Sequence, residues 1–139
     1  MAEAAALKKL TIFDLQAKVG RGEKVFQVTA VDYPTAQLVD RSGVDCILIG
    51  DSLGMTALGY SGTVPVTMDE MIHHTKAVRR GTKYAFLVGD MPFMSYQISK
   101  EEAIRNAGRF MKEAGCDAIK LEGGEEVLDA TIAIVNAGI

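Results

Sequence analysis

Residues 46–54 read Cys-Ile-Leu-Ile-Gly-Asp-Ser-Leu-Gly, and the pattern returns at 85–93, Ala-Phe-Leu-Val-Gly-Asp-Met-Pro-Phe, and at 118–124, Ala-Ile-Lys-Leu-Glu-Gly-Gly. Each is a short aliphatic run that breaks into a glycine or proline turn at an acidic side chain: Asp51, Asp90 and Glu122. Runs this short and apolar predict strands buried on both faces, as in a parallel sheet. An unpaired carboxylate in such surroundings is heavily penalised. Three of them at the same end of successive strands are therefore expected to converge on a positive partner. A hard divalent cation such as Mg²⁺ suits a donor set made only of oxygen.

Working outward, strands are expected at 25–30, 46–50, 84–89 and 118–121. Helical patterns separate them. Tyr33–Arg41 places Ala36, Leu38 and Val39 inward, with Gly43 closing it. At 67–80, Thr67 and Glu70 have the spacing of a capping box, and Ser99 and Glu102 repeat it at 99–114. The last helix, 125–137, carries an apolar stripe through Leu128, Ile132 and Val135. With a further helix at 11–20, the order is one helix followed by four βα units.

That order predicts a parallel sheet with right-handed crossovers. Ligand sites in such sheets lie beyond the carboxyl ends of the strands, where Asp51, Asp90 and Glu122 fall. The 39 residues from Asp51 to Asp90 and the 32 from Asp90 to Glu122 are each about one βα unit, which favours a (β/α) barrel over a Rossmann sheet. The stretch 53–70, LGMTALGYSGTVPVTMDE, carries little helical pattern before its last residues and reads as a long loop on the catalytic face.

Composition narrows the function classes. The chain has 139 residues, enough for one domain with a core, and a net charge of −3 with no basic stripe argues against a nucleic-acid surface. The doublets Lys8-Lys9 and Arg79-Arg80 read as solvated helix faces. No apolar stretch is long enough to span a bilayer, and the start, MAEAAALKKL, has the wrong charge order for a secretory signal. Cys46 and Cys116 form no CxxC pair, so reduced, buried thiols and a cytoplasmic location are expected.

Among chemically capable residues, Lys120 and Glu122 share one face of a strand at period two. The plainer explanation is a structural ion pair. The sharper one makes Glu122 a metal ligand and Lys120 the cation that neutralises a substrate carboxylate. Asp51 and Asp90 could each simply cap a turn. His73 and His74 are placed on a helix far from the strand ends, and adjacent helical positions cannot readily chelate one ion. The Met91, Phe93 and Met94 cluster reads as packing, and no phosphate-binding glycine motif is present.

The blocks TAVDYPTAQLVDRSGVDCILIGDSLGMTALGY, PVTMDEMIHHTKAVRRG, DMPFMSY and IKLEGG together resemble the 3-methyl-2-oxobutanoate hydroxymethyltransferase (ketopantoate hydroxymethyltransferase) family, from about residue 10 to 139. The resemblance implies an α/β fold, a (β/α)8 TIM barrel of the phosphoenolpyruvate-utilising type, of which residues 1–139 would be the N-terminal half. It implies condensation of 3-methyl-2-oxobutanoate with the one-carbon unit of 5,10-methylenetetrahydrofolate, giving 2-dehydropantoate on the route to pantothenate and coenzyme A.

Carried over motif by motif, Asp51, Asp90 and Glu122 fall on the family's Mg²⁺ site. Asp51, Ser52, Asp90 and Lys120 fall on its keto-acid site. Val31 stands where the family commonly has tyrosine, and Ser61 where an acidic residue is more usual. The family's proton-accepting glutamate has no counterpart before Ile139, and half the folate pocket would be missing. A half-barrel exposes two edge strands, so a fragment or a pairing with a second half is expected, and the family implies a homo-oligomer. Two other readings compete: another Mg²⁺-dependent 2-oxo-acid lyase or mutase of the same superfamily, and a non-catalytic half-barrel.

Overall fold

The computed structural model describes residues 8–139. Residues 1–7, most of the MAEAAALKKL start, lie outside the described residues. Helix α1 (Ile12–Gly20) opens on a capping box between Thr11 and Asp14. Then follow β1 (Gln27–Thr29), α2 (Tyr33–Arg41), β2 (Cys46–Ile49), a short α3 (Leu53–Thr56), α4 (Met68–Gly81) and β3 (Phe86–Asp90). Helix α5 (Lys100–Arg109) continues as a π-helical turn, Phe110–Ala114, and β4 (Ala118–Lys120) leads through a 3₁₀ turn, Glu125–Val127, into α6 (Leu128–Asn136). The four strands lie in sequential order and are all parallel, the arrangement of consecutive βα units in a barrel wall.

Register assigns each side chain to a face. Ile47 and Ile49 of β2 and Leu87 of β3 point to the helical layer and join Met71, Val78, Ala103 and Phe110 in the main core. Cys46 and Phe86 are register partners on the opposite face, as are Val88 with Ala118 and Asp90 with Lys120. That second face is the barrel interior. Its lower end is closed by α1, where Leu15 packs on Cys46 and Phe86, and its upper end carries Asp90 and Lys120.

Several expectations fail for identifiable reasons. Burial on both faces holds for β2 and β3, but β1 is exposed along its length because it is an edge strand. Val28 within it and Val25 and Phe26 just before it are exposed. Leu38 of α2 points outward, and the stripe Leu128, Ile132 and Val135 faces solvent while Ala130 and Ile134 make the contact of α6. The 53–70 loop contains α3, with Leu53 and Gly54 buried. Thr67 and Glu70 form the full capping box, whereas Ser99 only accepts the Glu102 N–H.

One glycine holds the layers together by its lack of a side chain. A Cβ on Gly89 would stand 2.5 Å from the Phe110 ring and 3.0 Å from Cys116 Sγ. Phe110 is fully buried and cannot swing clear. Gly89→Ala is expected to destabilise the fold by about 1–3 kcal/mol through overpacking, read as a lower urea midpoint with an unchanged slope.

Candidate active site

The upper end of the inner face is built by three strand ends. Asp90 is the last residue of β3 and is buried, so its carboxylate needs partners. It has two: Lys120 Nζ donates to Oδ1 at 2.7 Å, and the Asp51 backbone N–H donates to Oδ2 at 3.2 Å. Lys120 is the register partner of Asp90, which is why the two side chains meet across the ladder. The ammonium also donates to Glu122 Oε1 at 2.6 Å. Glu122 stands two residues beyond Lys120 and therefore on the same face, with its side chain largely exposed.

Asp51 follows Gly50 in the turn after β2. Continuing the register places Gly50 level with Asp90, so Asp51 lies one residue higher. Among the described residues it has no ion-pair partner. Burial raises its carboxyl above the usual carboxylate range, and the charges of Asp90 and Glu122 push it further, outweighing Lys120 and the Ser52 amide. Lys120 is affected in two directions. Burial works against its charge, but hydrogen bonds to Asp90 and Glu122 prevail and hold the ammonium pKa above its ordinary value.

The structure thus brings Asp51, Asp90, Lys120 and Glu122 to one mouth, with Ser52 exposed beside them. It does not assemble the three-carboxylate grip expected from the sequence: among the described residues no three His, Cys, Asp or Glu side chains stand close enough to hold one metal ion. The Lys120 ammonium bridges Asp90 and Glu122 instead. The ion pair therefore joins the same two residues, Lys120 and Glu122, for which the sequence left a structural and a chemical role open.

His74 is not far from the strand ends. Its Nδ1–H donates at 2.7 Å to the carbonyl of Val31, just past β1. Two residues carry weight that the sequence reading missed. Tyr96, in the buried turn after β3, both accepts the Glu122 N–H at 3.1 Å and donates to the Glu122 carbonyl at 2.8 Å. Tyr60, in the loop before α4, donates to Glu70 in the first turn of that helix.

The opposite ends of the strands are stapled by other carboxylates. Asp45 accepts from Lys18 at 2.7 Å and from the Phe26 N–H at 2.8 Å. Burial pushes the Asp45 carboxyl up, but Lys18 and the Phe26 amide together bring it below its ordinary value. A lowered folded-state pKa contributes stability that is present above the unfolded value, about 3.9, and lost as pH falls through the folded one. Acid titration below about pH 4 should therefore cost Asp45→Asn less stability than the parent, measured by urea midpoints across the range.

Both cysteines are free and buried. Burial and then the Asp117 charge push the Cys116 thiol up to about 12. Native protein should resist thiol reagents at pH 8 and titrate for both thiols once unfolded.

A four-stranded parallel sheet, backed by helices and carrying its ionic cluster at the carboxyl ends, is part of a (β/α) barrel. Solved structures agree at the level of fold. The chain superposes on 2,3-dimethylmalate lyase, a PEP mutase/isocitrate lyase superfamily member, with a TM-score of 0.68 at 12% identity, covering 90% of this chain and 47% of that one. Oxaloacetate acetylhydrolase gives 0.64 at 12% identity, covering 87% and 46%.

Residues 9–139 match the family model described as ketopantoate hydroxymethyltransferase, and the chain belongs to that family. It is 59% identical over 135 residues to the 3-methyl-2-oxobutanoate hydroxymethyltransferase of Moorella thermoacetica, covering 97% of this chain and 50% of the relative. The protein of the same name from Syntrophomonas wolfei is 56% identical over 133 residues, with 96% and 48% covered. The chain spans about half the length of the curated relatives it matches.

Proposed function

We propose that this mouth is the keto-acid half of a hydroxymethyltransferase site. In this reading Asp51, Ser52, Asp90 and Lys120 hold 3-methyl-2-oxobutanoate, and Asp51, Asp90 and Glu122 face Mg²⁺. The observation that carries it is the buried Asp90 paired with Lys120 beside an unpaired Asp51, in a chain of this family. The donor chemistry fits a hard cation, because only carboxylate oxygens are offered and Asp51 is short of positive charge. When bound, such a cation supplies Lewis-acid stabilisation of charge developing on the keto oxygen.

The residues of the chain divide the remaining work. Asp90 orients the Lys120 ammonium, and the substrate's carboxylate takes over from Glu122 as its second anionic partner. That exchange keeps the ammonium paired and would leave the Glu122 carboxylate available to hold a cation. Asp51 and Ser52, on the turn after β2, close the near side of the substrate.

The one-carbon donor is 5,10-methylenetetrahydrofolate and the product 2-dehydropantoate. The C3 proton acceptor and most folate contacts are assigned to the part of the relatives that this chain does not span. A homo-oligomer is what the family resemblance implies, and the free buried thiols support a cytoplasmic setting.

Isothermal titration with Mg²⁺ and 3-methyl-2-oxobutanoate tests the reading. One keto-acid site that depends on Mg²⁺ and disappears in Asp51→Ala is expected. A folded sample that takes up no keto acid, with Asp51→Ala indistinguishable from the parent, would leave a purely structural half-barrel. Exchange of the C3 proton into deuterated water, followed by NMR, should stay near background without a proton acceptor.

A further inference from the structure

The β4 strand ends its ladder at Lys120, whose carbonyl accepts the Met91 N–H at 3.0 Å. Beyond that point the neighbouring strand offers Glu122 no backbone partner, and Gly123 and Gly124 follow at once. Two backbone polar groups at such a position need an alternative partner or the strand end frays. Both find the same one. The Tyr96 hydroxyl takes the Glu122 N–H and gives its own proton to the Glu122 carbonyl.

We infer that Tyr96 is a positioning residue, a latch whose hydroxyl fixes the Glu122 end of β4 and so sets where Lys120 and Glu122 stand against Asp90. The inference rests on the reading of this mouth as the keto-acid site.

The turn that presents Tyr96 is itself firmly held. The Pro92 carbonyl accepts both the Ser95 N–H at 3.1 Å and the Ser95 hydroxyl at 2.7 Å. The Ser95 carbonyl accepts the side-chain amide of Asn106 on α5 at 2.7 Å, and both Ser95 and Asn106 are buried. Met94, just before Ser95, is held at φ 66°, a left-handed conformation that costs a non-glycine residue energy. Strain of this kind persists only where the surroundings over-determine the backbone. The Tyr96 ring is buried in the main core, so the hydroxyl has a fixed origin. A chain of contacts therefore runs from α5 through the turn after β3 to the tip of β4, and it reaches the two residues whose ammonium and carboxylate the site uses.

Tyr96→Phe keeps the ring and removes only the latch. Amide exchange by NMR at Glu122 is compared with exchange at Leu87, whose N–H is held by Asp117 at the far end of β3. Affinity for 3-methyl-2-oxobutanoate in Mg²⁺ is measured on the same samples. Loss of one buried-phenol hydrogen-bond pair should speed Glu122 exchange about tenfold, leave Leu87 unchanged and weaken keto-acid binding roughly five- to tenfold. Equal acceleration at both amides would mean a general loss of stability and would overturn the inference. Parental exchange and parental affinity in the variant would overturn it as well. If the parent itself binds no keto acid while Glu122 alone accelerates, the reading of the site falls, and Tyr96 is a backbone tie that positions nothing.

Discussion

Lys120→Met is expected to abolish keto-acid binding and to lower stability by about 2–4 kcal/mol, because it strands a buried carboxylate. The Asp90 side chain is 4% exposed and would keep only the Asp51 N–H at 3.2 Å. Breaking a fully buried pair by removing one partner typically costs about 3–5 kcal/mol. The Lys120 side chain is 33% exposed, so water reaches the gap it leaves and the loss falls toward the lower end. Urea denaturation and calorimetric titration measure the two effects separately. The double variant Lys120→Met with Asp90→Leu should recover most of the stability and none of the binding, since an apolar pair of similar size needs no counter-charge. A single variant as stable as the parent would show that Asp90 is not dependent on the ammonium.

The second large effect is expected far from the mouth. Asp40, buried at the end of α2, accepts backbone N–H groups from Lys83 at 2.9 Å, Tyr84 at 3.1 Å and Ala85 at 2.8 Å. These are the residues that feed the chain from α4 into β3. Asp40→Ala leaves three amides at that junction without a partner, and each buried orphan costs about 1–3 kcal/mol. A loss on the order of 4 kcal/mol follows, a large share of the whole stability of a domain this size. Circular dichroism and urea titration should show a variant that is partly unfolded at room temperature. Asp40→Asn should rescue much of the loss, because its Oδ1 can still accept from Tyr84 and Ala85 and only the Lys83 N–H then faces an amide nitrogen that cannot accept. A fully folded Asp40→Ala would contradict the stapling account.

The sequence carried the fold because the fold is local in origin. Aliphatic runs, capping pairs at Thr67 and Ser99, and glycines after helices each act over a few residues, and their order alone implies a parallel wall. What it could not carry was which side of each element meets a neighbour. Leu128, Ile132 and Val135 have helical spacing, yet the contact of α6 with α5 is made by smaller Ala130 and by Ile134. Periodicity finds an apolar stripe but does not say that anything covers it.

The site shows the same division. Asp51, Asp90 and Glu122 stood out because each ends an apolar run, and Lys120 because of its period-two relation to Glu122. A carboxylate at a strand end does not by itself signal a ligand. Asp45 and Asp117, at the other ends of β2 and β4, are carboxylates too and serve as staples, paired with Lys18 and Lys9 and with the amides of Phe26 and Leu87. What sets Asp51 apart from the staples is its electrostatic balance. Asp45 has its ammonium, whereas Asp51 has only like-charged neighbours and one shared cation. Tyr96 left no signal at all, because a buried tyrosine in a turn reads as packing until its hydroxyl is seen to meet both polar groups of one distant residue.

In the proposed site the strand ends at 51, 90 and 122 together receive a hard divalent cation. Titration of the folded chain with Mn²⁺, followed by paramagnetic broadening of backbone amides in the presence of 3-methyl-2-oxobutanoate, tests it directly. Selective loss of the signals from Asp51, Ser52, Asp90 and 120–122 is the predicted result. Broadening centred on another acidic patch, such as Asp69 and Glu113 on the outer helices, or none above that of free Mn²⁺, would contradict it.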